Sequence, residues 1–512
     1  MRQIPEIKNE NGISTLYVDG KPFQAYAGEV HNSAAYDPQK MKTDIWDKME
    51  QSNLNTLIVP VYWETLEPEE GKFDFTLVDE LLKTAESYKK KLILLWFGLW
   101  KNAESAYVPG WMKRDSETYY RVEIYGGQKL NTISPLCVKA VKKDANAFSH
   151  LMEHIEKTDR NSTVIMVQVE NEVGLLGTER DYCPQANAAF EGVVPEVLRT
   201  EQMKAGNITW KEAFGDDAEE IFSAWCFASA VEQIASAGRE KYPLPCFANV
   251  WLKQFPWYAG SYPSGGPVDD ILWVWKKAAP SIFTIAPDIY VPYVPDIMEK
   301  YSRPDNPLLI PEVRKDVVTA SYTLYAFLHH NALCYAPFGI EDLWTDDPAE
   351  LPDEVIDALK MDPLSFDLSG TKETLGEVYR LLGEIMPLYL KYRGTSHLQC
   401  FLKKTEGEQG CYLKFGKYDM EIQYFPKAKG TPAAAGAVFE LDEDRFLIIG
   451  MMCSVRIHTK PGNHKKADFL TKEEGTFHDG KWVCTQKQNG DEKLVTVLYN
   501  MPGCFKIEVF QY

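Results

Sequence analysis

Short apolar runs recur eight times over the first two-thirds of the chain, separated by segments of helical period, and they constrain the fold more than any other feature. They are Phe23 to Gly28, Thr56 to Trp63, Lys91 to Gly98, Val164 to Glu172, Pro245 to Asn249, Ile282 to Asp288, Pro307 to Glu312 and Leu333 to Phe338. Leu57-Ile58-Val59-Pro60-Val61 is apolar at successive positions, as parallel strands covered on both faces require. Between runs, Asp37 to Asn53 carries Met41, Ile45 and Met49 at helical spacing, and Leu77, Leu81, Ala85 and Tyr88 repeat the pattern after the second run. Eight such alternations over roughly 350 residues predict an α/β fold, a closed (β/α)8 TIM barrel over residues 1–363, rather than an open doubly wound sheet. The glycine-rich G-x-G-x-x-G and P-loop signatures of nucleotide folds are absent.

Past about Pro363 the texture changes. A helical pattern from Glu373 to Tyr389 predicts a bridging helix within 364–394. Val438 to Leu441, Arg445 to Met451, Lys481 to Val483, Leu494 to Tyr499 and Phe505 to Phe510, set between Gly, Asp and Asn clusters, predict an antiparallel β-rich C-terminal domain over 395–512.

The 512 residues carry 55 basic against 74 acidic side chains, a net charge of −19 that repels nucleic acid and anionic membrane surfaces. The densest basic runs, Lys89-Lys90-Lys91 and His464-Lys465-Lys466, lack interleaved aromatics. No stretch approaches the ~20 apolar residues of a membrane span, and the first residues lack a signal peptide's apolar core. The expectation is a cytoplasmic protein with no nucleic-acid or membrane partner and with homo-oligomerisation left open. Ten cysteines without any C-x-x-C read as free thiols.

In such a barrel, chemistry sits where the strands end at their C-terminal side. The fourth run closes Val169-Glu170-Asn171-Glu172 and the seventh Ile310-Pro311-Glu312, on opposite sides of the axis. Two carboxyls across one cleft suit glycosidic-bond cleavage, one protonated for the leaving oxygen and one ionised toward the anomeric carbon. Arg314 is placed to favour the charged form of Glu312. Charged residues also close strands simply because the chain is leaving the core, and it is the pairing of runs four and seven that singles these out. Periodicity does not choose between Glu170 and Glu172, since positions two apart on a strand share a face.

Gln168-Val169-Glu170-Asn171-Glu172-Val173-Gly174 resembles the acid/base strand of the retaining β-galactosidases of glycoside hydrolase family 35, in which the acid/base is the Glu directly after Asn. The resemblance implies Glu172 as acid/base and Glu312, in Pro307-Leu308-Leu309-Ile310-Pro311-Glu312, as nucleophile. Val61-Tyr62-Trp63 followed by Glu67-Pro68-Glu69-Glu70-Gly71 is similar to the family's second-strand signature, which turns Tyr62 toward the sugar. Asn102-Ala103-Glu104 looks like the family's galactose-holding triplet and implies Asn102 and Glu104 as substrate ligands. Gly28-Glu29-Val30-His31 sits where the family has its strand-one motif, which brings in Glu29. Asn171 is assigned to the sugar's 2-hydroxyl and Tyr290 to a hydrogen bond with the nucleophile. The C-terminal part resembles the small β domain of a compact bacterial branch related to families 35 and 42. Trp96-Phe97-Gly98-Leu99-Trp100-Lys101 departs from the family's Arg-x-Gly-Pro-Tyr run.

The implied activity is a retaining exo-β-galactosidase needing no cofactor and no metal, with a carbohydrate as its partner. The alternatives are the same chemistry on a β-glucoside, β-xyloside or α-L-arabinoside, or a non-catalytic carbohydrate-binding protein. Trp63, Trp96, Trp100, Trp251, Trp257 and Trp344 fall near run ends and are candidates for sugar faces, Trp251 and Trp257 on a substrate-facing loop. His150-Leu151-Met152-Glu153-His154 spells an inverted zincin motif, but helical geometry sets both histidines opposite the apolar face of an outer helix, and no metal is assigned there.

Overall fold

The computed structural model describes residues 3–200, 203, 206–345, 354, 356–357 and 367–512. The expected boundary between 363 and 364 lies outside the described residues. Eight parallel strands close into a barrel: β1 (Ala25–Glu29), β2 (Thr56–Tyr62), β3 (Lys91–Lys101), β4 (Val164–Asn171), β5 (Cys246–Trp251), β6 (Ile282–Ile289), β7 (Ile310–Val313) and β8 (Cys334–Pro337), with β8 pairing back onto β1. Each grows from one of the eight apolar runs. Every residue of β1, β2, β4, β7 and β8 is buried, as the unbroken apolar runs require of strands covered on both faces.

Helices form the outer ring, among them α1 (Thr76–Ser87), α2 (Val138–Thr158), α3 (Ala218–Lys241), α4 (Leu272–Ala278), α5 (Val294–Tyr301) and α6 (Val318–Leu328). The crossover predicted as a helix over 37–53 is broken instead: one α turn (Pro38–Met41), a π segment (Lys42–Trp46) and a 3-10 turn (Met49–Ser52). Asp37 caps its start by accepting from the Gln39 and Lys40 amides. The change of winding brings Met41, Ile45, Trp46 and Met49 all into the core.

A three-stranded meander, Glu6–Glu10, Ile13–Val18 and Lys21–Phe23, closes the N-terminal end of the barrel, where Leu16 and Val18 pack with Ala25, Leu309 and Leu333. Its turns, Asn11-Gly12 and Asp19-Gly20, have both central residues at positive φ, the geometry of a tight hairpin.

The C-terminal region is a sandwich of two antiparallel sheets. One has six strands in the order Leu398–Leu402, Ala435–Asp442, Arg445–Met451, Gly503–Gln511, Ala467–His478, Lys481–Lys487; the other has four, Gly410–Lys414, Tyr418–Tyr424, Cys453–Thr459, Thr496–Leu498. Alternation along the strands divides the six-stranded sheet between two cores. Val438, Phe446, Ile448 and Phe505 face Met420, Ile422 and Val455 of the smaller sheet. Ala435, Ala437, Phe439, Leu447 and Ile449 face the barrel's core. Five of these strands exceed what the apolar pattern predicts, because they are short, polar on one face, or both.

Helix α7 (Thr371–Tyr392) holds the two halves together. The Tyr379 hydroxyl, buried, donates to the carbonyls of Ala27 in β1 (2.8 Å) and Tyr335 in β8 (2.9 Å), at the barrel seam. The adjacent Arg380 donates to Phe477 O (3.1 Å) and Thr476 Oγ1 (2.9 Å) of the sandwich and is fixed by Glu377. No helix among the described residues is long and apolar enough to cross a membrane. Replacing Tyr379 by Phe strands two buried carbonyls of a donor, and urea unfolding should show a loss of about 1–2 kcal/mol; unchanged stability would remove Tyr379 from the seam's energetics.

Candidate active site

The C-terminal end of the barrel gathers acidic side chains from four strands. Glu29 ends β1, Glu172 follows β4, Asp288 lies in β6 and Glu312 in β7, and all four are buried. Asp288 and Glu312 are register partners on neighbouring strands. Glu312 Oε1 accepts a hydrogen bond from the Tyr290 hydroxyl at 2.6 Å, while its Oε2 has no partner among the described residues. Arg314, expected beside Glu312, is instead turned to Asp316, bonding through Nε (2.6 Å) and Nη2 (3.1 Å).

The cation that acts on the cluster is Lys101, which ends β3 and is buried. Its ammonium donates to Asn171 Oδ1 at 2.9 Å and lies 5.2 Å from the Phe97 ring centre. With that oxygen occupied, the Asn171 amide is oriented, and its Nδ2 has no partner among the described residues. Both carboxyl oxygens of Glu29 are likewise without a partner there. Buried polar groups are nearly always satisfied, so such a concentration of open valences marks a place built for a polar guest.

Crowding sets the protonation states. Burial, and then the charge of Glu312, push Glu172 up to about 7 against the opposing pull of Lys101. Burial and Glu312 likewise raise Glu29 and Asp288 well above the carboxyl range. Asp288 and Glu172 stand close enough for each to act on the other's carboxyl. Asn249, at the end of β5, fixes both: its Nδ2 donates to Asp288 Oδ2 (2.6 Å) and its Oδ1 accepts from the Glu172 amide (2.9 Å).

The backbone at the end of β4 explains why Glu170 and Glu172 do different things. Both adopt left-handed backbone, at φ 63° and 45°, which breaks the pleat that would have put them on one face. Glu170 turns away from the cleft, accepting from the Leu99 (3.2 Å) and Trp100 (2.6 Å) amides beside Asp144 of α2. Asp144 accepts from Trp96 Nε1 and the Leu99 amide, both at 2.8 Å, and burial raises its carboxyl to about 6. Gly98 is required there: a Cβ would fall 2.4–2.5 Å from Asp144 Oδ2, Trp96 Nε1 and Glu170 Oε1. The strained segment is held on its other side by the Asn102 and Ala103 amides, which donate to the carbonyls of Asn171 (3.2 Å) and Glu172 (3.1 Å).

The remaining candidates are distributed as follows. Tyr62 is buried, stacked face to face on Tyr36 at 3.8 Å, and its hydroxyl donates to Asn32 O at 2.7 Å. The side chains of Asn102 and Glu104 stand exposed on the turn after β3, where Glu104 accepts from Asn131 at 3.3 Å. Trp251 is half-buried and in register with Asp288. Trp63, Trp96 and Trp100 are fully buried structural residues, their indole N–H groups bonded to Glu67, Asp144 and Ile133 O. Trp344 donates to Ser52 Oγ at 3.0 Å, outside the cluster. The two histidines of the zincin-like motif are half-buried on the outer helix, His150 stacked on Phe73 at 4.1 Å and His154 on Phe75 at 4.0 Å, with His154 also bonded to Asp79.

Lys101, Asn249 and Asp288 had not been singled out from the sequence. Asn249 and Asp288 each close an apolar run, the same signal that marks Glu172 and Glu312. A second polar group flanks the cluster: His31 Nε2 lies 3.0 Å from Asp342, which also pairs with the buried Lys315, and the His31 amide donates to Glu341. Glu299 of α5 and His329 and His330, which follow α6, bring ligand atoms within 4.8 Å of one another at the opposite end of the barrel.

Residues 15–255 match the family model for glycosyl hydrolases family 35, and residues 375–497 match one described as a domain of unknown function (DUF5597). The chain is 27% identical over 212 residues to rat beta-galactosidase-1-like protein 3, covering 39% of this chain and 30% of that one. It is 29% identical over 207 residues to human beta-galactosidase-1-like protein 2, covering 37% and 28%. The chain thus spans less than a third of the length of these relatives. Among solved structures, the catalytic domain of a Paenibacillus polymyxa β-amylase aligns at TM-score 0.47 and 10% identity, over 66% of this chain and 98% of that one. A β-galactosidase from Rahnella sp. R3 aligns at 0.47 and 14%, over 72% and 57%. Over residues 15–255 the chain is similar to the glycosyl hydrolases of family 35.

Proposed function

We propose that the protein is a retaining exo-glycosidase that removes terminal β-galactosyl residues by double displacement, with Glu172 as acid/base and Glu312 as nucleophile. The observation that carries this is the asymmetry of the two carboxyls: Glu172 is raised to about 7 by burial and the Glu312 charge, whereas Glu312 Oε1 is held by the Tyr290 hydroxyl with Oε2 open. That is the division of labour the reaction needs. Glu312 Oε2 attacks the anomeric carbon as Glu172 gives its proton to the leaving oxygen, forming a covalent glycosyl-enzyme. Glu172 then takes a proton from water, which attacks the same carbon and frees Glu312. The open Nδ2 of Asn171 serves the 2-hydroxyl, and Glu29, protonated, offers a donor and an acceptor to another sugar hydroxyl. Tyr290 positions the nucleophile. Asn102, Glu104, Tyr62 and Trp251 belong to the rim and wall of the same pocket.

The family match and the relatives named beta-galactosidase-like support a galactosyl substrate. The carboxyl pair is equally suited to a β-glucoside, β-xyloside or α-L-arabinoside, and a nitrophenyl glycoside panel ranks the four. The same panel tests the non-catalytic alternative, which predicts binding without turnover.

Glu312→Gln should lower kcat/KM on the order of a thousandfold or more, about 4 kcal/mol of transition-state stabilisation, with the unfolding curve unchanged. Proton NMR of early product should show the β-anomer; α-galactose appearing first would overturn the retaining mechanism. Because Glu172 must enter the first step protonated, kcat/KM should fall as pH rises through about 7. Lys101 pulls that value down, so Lys101→Met should move the alkaline limb upward by roughly one pH unit, whereas a limb that stays put would show that Lys101 does not act on the acid.

A further inference from the structure

The loop after β5 carries three large aromatic side chains in four residues, all turned outward: Phe255, Trp257 and Tyr258 are 65%, 52% and 64% exposed. Nowhere else among the described residues do three exposed aromatics fall so close in sequence. Exposed aromatic faces grouped this way are uncommon without a partner. Trp257 also stands at φ 71°, a backbone region that bulky residues avoid, so the loop holds it there at a local energetic cost.

The loop is not free to wander. Leu175 and Ser264 exchange both backbone hydrogen bonds (2.9 and 2.8 Å), and the Gly177 amide donates to Gly260 O at 2.8 Å. Gly260, at φ 94°, lies so close to Thr178 that a Cβ would meet its backbone at 2.9 Å. These ties fasten the aromatic loop to the segment that begins three residues after Glu172. The acid/base stands on the side of the scissile bond where the leaving group lies. An aromatic surface bound to the acid/base loop therefore flanks the leaving group rather than the galactosyl ring.

We propose that Phe255, Trp257 and Tyr258 form a platform on which the second and later sugars of an oligosaccharide stack, so that the natural substrate is a β-galactosyl-terminated oligosaccharide or polysaccharide rather than a small galactoside. The proposal rests on the glycosidase reading above and extends it to the leaving group. Pyranose C–H faces are apolar and flat enough to lie against aromatic rings, while their hydroxyls remain in water. A membrane or a globular protein would ask for a broader apolar area; three rings along one short loop suit a single chain of sugars.

The test uses the full chain carrying Glu312→Gln, which binds without turning over, with and without Trp257→Ala and Tyr258→Ala added. Calorimetry with β-1,4-galactotetraose and with galactose should show the tetraose binding at least tenfold more weakly in the added variants, galactose changing less than twofold, and Trp257→Phe retaining most of the affinity. Equal loss on both ligands, or no loss on either, overturns the platform. So does sedimentation showing that the substitutions dissolve a dimer while tetraose affinity stays unchanged, since the rings would then be an interface between copies. If the unsubstituted chain hydrolyses no nitrophenyl glycoside, the glycosidase reading fails by itself, and the tetraose affinities still decide the platform.

Discussion

Four buried carboxyls crowd one barrel mouth, and Lys101 bears on two of them, Glu29 and Glu172. Placing that many negative charges out of water around a single ammonium would cost far more than a folded domain's net stability, so the cluster exists only because part of it stays protonated. Burial and the neighbouring charges favour the protonated forms of Glu29 and Asp288 and push Glu172 up to about 7. The arrangement needs no external tuning of the acid. The Glu312 charge raises Glu29, Glu172 and Asp288, and Lys101 limits the rise at Glu29 and Glu172.

A second carboxyl pair lies behind the first. Asp144 and Glu170 anchor the Leu99 and Trp100 amides and the Trp96 indole, and so fix the end of β3 from which Lys101 projects. Left-handed backbone at Glu170 and Glu172 is what separates the two jobs. One carboxyl turns back to hold the scaffold, and the other, two residues on, enters the cleft. Strain at alternate residues of a strand end survives because five fixed partners surround it: the Asn102 and Ala103 amides, Asn249 and the Leu99 and Trp100 amides.

Much of this was legible in the chain. Each of the eight apolar runs became a barrel strand because burial on both faces leaves no alternation to misread. What escaped was information that periodicity does not carry. Trp63, Trp96 and Trp100 sit near strand ends yet point into the helix layer, since strand pleat decides direction and end position does not. Arg314 lies two residues past Glu312 but pairs with its own neighbour Asp316. Lys101 looked like part of a departure from a familiar run, whereas its burial gives it the role of the cluster's cation. The N-terminal meander and several sandwich strands were missed despite signals such as Asn11-Gly12 and the alternation of Tyr418–Tyr424, because strands wet on one face carry half the apolar density of barrel strands.

The loop that bears Glu172's neighbours and the loop after β5 are bonded at three backbone positions, with the hydroxyls of Ser223 and Ser264 both donating to Glu179 O. On the proposed reading, whatever the outer rings hold is held by the same bonded unit that carries Glu172. Loops that move separately would let a leaving group bind in one place and be protonated from another, losing the alignment that proximity supplies. On the proposed reading, tying them would convert binding energy gathered far from the anomeric carbon into correct placement of the leaving oxygen against Glu172, which is how contacts remote from the chemistry come to act on its rate.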